Sequence, residues 1–218
     1  MDRSIHRLVC AVLVCLAFAA PAAAQQDQPI GRFVADFRGV YGRHKVEPSV
    51  ATDLGVESGN LPARSWGLAG GAHFYFWHTK HITFGAGGET VWARGSRTPD
   101  VTNADGTTSP GITVRRHFFA VVPELSLNFG HRNGWSYISG GMFGTAEAYL
   151  DRADLPASNV PRRSTISYGG GARWFTNNRI AFAVDFHWYS VAAMDAGLTY
   201  VAEPRTTLLI LSGGISIR

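Results

Sequence analysis

Between residues 180 and 191 every second side chain is large and apolar: Ile180, Phe182, Val184, Phe186 and Trp188 share one parity, while Asp185, His187 and Tyr189 share the other. A period of two describes an extended strand with one apolar and one polar face, and a helix cannot satisfy it. The same two-sided pattern recurs along the chain. Phe33, Ala35, Phe37, Gly39 and Tyr41 oppose Arg32, Asp36 and Arg38, and Phe119, Val121, Leu125, Leu127 and Phe129 oppose Arg116, Glu124, Ser126 and Asn128. Eight such segments can be drawn, over residues 30–42, 65–77, 82–93, 113–129, 135–150, 165–175, 180–191 and 206–218.

The connections between them alternate in length. Residues 43–64, 94–112, 151–164 and 192–205 are long and rich in Pro, Asn, Asp, Ser or Gly, whereas His78 to His81, Gly130 to Gly134 and Asn177-Asn178 are short turns. In an up-and-down antiparallel arrangement all long loops then fall at one end and all short turns at the other. That asymmetry characterises outer-membrane barrels. The reading is an all-β fold, an eight-stranded antiparallel up-and-down transmembrane β-barrel with short periplasmic turns and long extracellular loops. Pro123 lacks the donor a ladder needs, so a bulge is expected there. In the fifth segment Phe143 conflicts in parity with Ile138 and Met142, which leaves its facing open.

Residues 1–24 read as a signal peptide: Arg3, His6 and Arg7 precede an apolar run from Leu8 to Ala20, and Ala22-Ala23-Ala24 supplies small residues for cleavage. The run is short of the roughly 20 residues a spanning helix needs. The barrel domain is then 25–218, and both cysteines, Cys10 and Cys15, fall in the leader. Removing Arg3, Arg7 and Asp2 takes the formal charge from +4 to +3, and the basic residues are scattered, so no nucleic-acid partner is indicated.

Alternation alone also fits a soluble, lipocalin-like barrel. Here the apolar parity carries aromatics near the strand ends: Tyr41, Trp66, Trp92 and Trp188 toward the loops, and Phe74, Phe76, Phe84, Phe129, Trp174 and Phe182 toward the turns. Two aromatic girdles flanking an aliphatic band match a bilayer. The other parity gathers Asp36, Arg38, His73, Glu89, Arg116, Glu124, Arg173, Asp185 and His187 as a barrel-interior ionic network. Charges in so narrow a lumen must pair. Glu89 and Glu124 sit on adjacent strands, and Arg173 reaching across the lumen is the expected neutralising partner. Glycine pairs such as Gly70-Gly71 and Gly87-Gly88 suit the sharp curvature of a small barrel.

An enzyme is not indicated. His187, Ser190 and Asp195 resemble a lipid A deacylase triad in spacing, but parity puts His187 inside and Ser190 outside. His73, His78 and His81 lack cysteine or carboxylate support for a metal. No cofactor motif is present. The remaining readings are a structural or surface-interaction barrel with a mostly closed lumen and, as an alternative, a narrow channel for ions or small solutes.

Residues Tyr168-Gly169-Gly170-Gly171-Ala172-Arg173-Trp174-Phe175, a short Asn turn, and Ala183-Val184-Asp185-Phe186-His187-Trp188-Tyr189 resemble the penultimate hairpin of the OmpA/OmpX-like superfamily of small outer-membrane β-barrels. The resemblance covers residues 30–218. It implies an outer-membrane location, contact with outer-membrane lipid and lipopolysaccharide, insertion by the barrel-assembly machinery, and a monomer. Members of that family usually end on an aromatic residue, whereas this sequence ends Ile215-Ser216-Ile217-Arg218.

Overall fold

In the computed structural model, which describes residues 29–156 and 159–218, the alternating segments close into one barrel. The expected leader, 1–24, lies outside the described residues. The strands are β1 (Phe33–Arg43), β2 (Arg64–His78), β3 (Thr83–Arg97), β4 (Val114–His131), β5 (Gly134–Arg152), β6 (Arg163–Phe175), β7 (Ile180–Val191) and β8 (Thr206–Ile217). Each pairs antiparallel with its neighbour in sequence, and β1 pairs with β8 from Ala35↔Ile217 to Arg43↔Leu209. Among the described residues the barrel sheet has no unpaired edge, which is what a sheet in lipid requires.

The first long loop contains a short helix, α1 (Pro48–Asp53), with proline at its start, and a 3-10 turn (Ser58–Asn60). The second contains a two-stranded ribbon, Asp100–Thr102 against Thr108–Pro110. The wall also rises higher than the alternation indicates, since β3 runs on to Arg97.

Three irregularities interrupt the ladder. Between Val121 and Leu125 the β4–β5 register shifts around Pro123. Facing it, β5 bulges between Gly141 and Gly144 against β6. The extra residue resolves the parity conflict in this strand: Met142 and Phe143 both point outward, 68% and 84% exposed. The third shift lies on β2, between Tyr75 and Trp77. At the β4–β5 turn Gly130 has φ +138°, a conformation that favours glycine.

Inside, the side chains stack in layers. Ile30, Val34, Tyr75, Trp135 and Tyr137 pack at the turn end. A charged belt lies above them. Next comes an apolar layer that includes Val40, Val91, Phe118, Ala120, Val122, Val191, Leu208 and Ile210. The loop end is capped by Val50, Ala51 and Leu54 of the α1 region packing on Leu61, Val114 and Leu150.

On the outside of β4, the apolar stretch from Phe119 to Phe129 spans eleven residues, which at the usual rise and a tilt near 40° makes a belt about 25 Å tall. Leu125 lies within it and is exposed. Replacing Leu125 with Lys should lower the stability of vesicle-embedded protein by about 2–4 kcal/mol, read from the urea midpoint by tryptophan fluorescence. The same replacement at Leu198, fully exposed in the fourth loop, should change it little.

Candidate functional site

The belt of charge in the lower half of the lumen is the most chemically loaded part of the molecule. β1 supplies Asp36 and Arg38, both inward because they alternate with exposed Phe37. Arg173 of β6 crosses the lumen and grips the Asp36 carboxylate with two bonds, Nε at 3.0 Å and Nη2 at 2.6 Å. Ser216 of β8 donates to the same carboxylate. The Arg173 guanidinium lies 4.2 Å from the centre of the Tyr137 ring, within cation–π range.

Arg38 joins the other side. It donates to Glu89 of β3, and its Nη1 lies 3.1 Å from Asp185 of β7. Tyr189 donates to Glu89 and Tyr137 to Asp185. Glu124 of β4 accepts from Ser167 at 2.8 Å. Two imidazoles fill the gaps. His73 lies 3.8 Å from Asp36 and 3.9 Å from Glu124, and His187 lies within 4.0 Å of Glu89, Glu124 and Asp185. Inward-facing glycines make room for both rings: a Cβ on Gly87 would strike the His73 ring, and one on Gly169 would strike His187.

Of the nine interior residues named from the sequence, eight meet in this belt. Arg116 does not. It sits nearer the loops, donates through Nε to the Pro62 carbonyl at 2.8 Å, and forms an upper polar group with Arg163, Glu203, His44 and Ser65. The expected pairing of Arg173 with Glu89 and Glu124 is also corrected: Arg173 pairs with Asp36, and Glu89 pairs with Arg38. Parity assigns a residue to a face, but in a barrel of tilted strands it does not assign depth.

Two arrangements within the belt have the form of reactive sites. Ser139 Oγ lies 2.8 Å from His187 Nε2, and His187 Nδ1 lies 3.0 Å from Asp185, which is the connectivity of a serine triad. Ser139 is only 8% exposed, and three cavities of about 300–360 Å³ lie elsewhere, on the outer wall and among the loops. Donor atoms of Glu89, Asp185 and His187 also lie within 4.8 Å of one another. Arg38 already bridges those two carboxylates, so the positive charge a metal would supply is in place.

The opposite parity faces outward. Trp66, Phe74, Phe76, Trp92, Phe129, Trp174 and Phe182 are exposed, and Tyr41, Phe84 and Trp188 are half-buried on the same face. A closed barrel with its ions inside and a broad apolar belt outside is built to sit in lipid. The chain has the fold of the small outer-membrane barrels. Its four long connections lie at one end of the barrel and its short turns at the other. No protein-family model and no curated protein sequence matches it. Among solved structures it is similar to Ail, the attachment invasion locus protein of Yersinia pestis, at 11% identity over 86% of this chain and 98% of that one, with a TM-score of 0.49. It is similar also to OprG from Pseudomonas aeruginosa, at 12% identity over 89% and 98% and a TM-score of 0.46. For Neisserial surface protein A the identity is 8% over 85% and 96%, with a TM-score of 0.48. These likenesses are of fold alone.

Sequence reasoning missed several groups. Tyr137 and Ser139 stand on β5, whose parity the Phe143 conflict hid. Glu203 lies in an aperiodic loop and carried no signal. The apolar upper layer had one: Phe118-Phe119-Ala120-Val121-Val122 is apolar on both faces, as in a strand buried on both sides.

Breaking the Asp36–Arg173 pair by Arg173→Met strands a buried carboxylate and should cost about 3–5 kcal/mol, seen as a folded gel band that converts at lower temperature. Adding Asp36→Asn should restore part of the loss. In the upper group, burial together with the Arg116 charge lowers the His44 pKa from 6.5 to about 3. The loosened state therefore takes up a proton that the packed state refuses, and packing weakens as pH falls from about 6.5 toward 3. Amide exchange at His44, whose N–H is bonded to the Ala63 carbonyl, should accelerate at pH 4.5 relative to pH 7.5 beyond the intrinsic rate change. His44→Gln should abolish that excess.

Proposed function

We propose that this protein is a closed, non-catalytic barrel that anchors a structured loop surface on the outside of the cell. The observation that carries the reading is the layering of the lumen: an aromatic floor, a belt of paired charges, an apolar layer, a second polar group and a cap of loop residues. A solute crossing it would have to break Arg38 from Glu89 and Asp185, and then pass side chains such as Phe118, Leu208 and Ile210 that offer it no polar partner.

The loops are built to hold a shape. Loop residues Leu54, Leu155, Tyr200 and Val201 line a cavity of about 360 Å³ at the outer end, beside fully exposed Leu198. Arg152 ties this end together, donating to the Leu54 carbonyl at 3.1 Å and to Asp154. Exposed apolar groups held in place beyond the bilayer suit contact with another surface.

Refolded protein in planar bilayers should give no steady conductance. Regular openings of uniform size would favour the narrow-channel reading instead.

A further inference from the structure

The bulge on β5 gives the outer wall a knob. Two successive residues, Met142 and Phe143, both point outward there, and Phe143 is the most exposed large apolar side chain of any strand. Half-way round the barrel the wall is hollow instead. Gly39 and Gly213 are opposed in register on β1 and β8, and with Tyr41, Trp66 and Leu211 they border a cavity of about 340 Å³. The Tyr41 and Trp66 rings pair along its edge with their centres 4.8 Å apart. A cavity of about 150 Å³ can hold one benzene ring, so this one has room for the side chains of Met142 and Phe143 together.

The two features stand at the same depth. β5 is four strands from β1 in a closed ring of eight, hence diametrically opposite it. Directly opposed residues lead from Ala35 through Ala72, Gly88 and Pro123 to the β5 bulge. Continued through Ile166, Ser190 and Thr207, the same path comes back to β1 beyond Arg43. Tilted strands stagger a barrel in this way, here by about ten residues toward the loops in a full turn and so by about five at β5. Five residues above Ala35 on β1 is Val40, which lies between Gly39 and Tyr41 of the hollow.

Charge follows the same axis. Above the hollow, Arg43 and Arg64 are exposed and directly opposed in register, and among the described residues neither has a carboxylate within ion-pair distance. Like charges so placed destabilise a sheet unless something neutralises them. The outward-facing carboxylates of the strands, Glu147 and Asp151, both stand on β5 above the knob. Asp151 is opposed by Arg115 and lies 3.4 Å from His117. Glu147 accepts from Arg162 through Oε1 at 2.9 Å, which leaves Oε2 to accept from a second cation.

We infer that copies of this chain associate side by side in the membrane, Met142 and Phe143 of one seated in the hollow beside Tyr41 and Trp66 of the next, with Glu147 of the first facing Arg64 of the second. In lipid such contacts are held by close packing and polar pairs, because lipid chains cover apolar surface as well as protein does. The contact joins two different surfaces on opposite sides of the barrel, so it propagates as rows and does not close a pair. It departs from the monomer that the family resemblance implies, and it is independent of whether the lumen conducts.

Thiol cross-linking of the full chain in vesicles tests the rows, with Cys10→Ser and Cys15→Ser removing the native thiols. Thr145 lies beside the knob and Leu209 beside the hollow, both facing outward. A chain carrying Thr145→Cys and Leu209→Cys, treated with a short bismaleimide at low protein-to-lipid ratio, should give a ladder that runs past the dimer. Either cysteine alone should leave monomers. Thr90 faces outward on β3, away from both features, and Thr90→Cys in place of Leu209→Cys is the collision control, which should give no ladder. Gly39→Leu fills the hollow at a position where an added Cβ meets only the Gly213 carbonyl, at 3.9 Å. It should remove most of the ladder while the heat-modifiable gel band of a folded barrel persists. No ladder from the paired cysteines, or an equal one from the collision control, would overturn the proposal even if the Gly39 variant failed to fold. Dimers from either single cysteine, or a full ladder from folded Gly39→Leu protein, would overturn it too.

Discussion

Closing eight strands on themselves leaves a lumen scarcely wider than the side chains that point into it, and a charge placed there has few partners except other interior groups. Arg38 satisfies that constraint by bridging Glu89 and Asp185, and Arg173 does so by clasping Asp36. Each contact ties together strands that are not neighbours in the sheet. The backbone ladder fixes which strand follows which, and the ionic belt fixes the cross-section. Glycines such as Gly87 and Gly169 belong to the same solution, since a side chain on either would occupy the space of an imidazole in the belt.

The two faces of the wall divide the labour. Outward residues such as Leu125, Phe143 and Phe182 give the lipid an apolar surface, so there the membrane does what a core does in a soluble protein. Inward residues form a stack that is polar only in bands. At the outer end burial raises the Glu203 pKa, while Arg116 and Arg163 hold it down. This anchors the fourth loop over the mouth, where Glu203 and Met194 exchange backbone hydrogen bonds. The outer end is thus held from within by a buried acid among arginines.

Most of this architecture was legible because a strand period of two is hard to imitate. The alternation from Ile180 to Trp188 gave its strand to the residue, and the spacing of long loops and short turns gave the topology. Pro123 announced its bulge through chemistry, by lacking a donor. Depth in the lumen was not legible, which is why Arg173 was matched with the wrong carboxylates and Arg116 was grouped with a belt it does not join. Local irregularity hid more: the bulge between Gly141 and Gly144 reverses the parity of β5, and with it the inward facing of Tyr137 and Ser139. The helix in the first loop and the position of Glu203 depend on packing against the barrel mouth, which no local pattern encodes.

A closed barrel requires that the charged belt be packed solid and not threaded by a column of water. Ser167 lies in its middle, buried and bonded to Glu124. A cysteine at this position can be probed in the folded barrel with a small charged thiol reagent and followed by peptide mass spectrometry. Protection from both sides of the membrane until the barrel is unfolded is the predicted result. Labelling of the folded protein at the rate of an exposed loop position would contradict it.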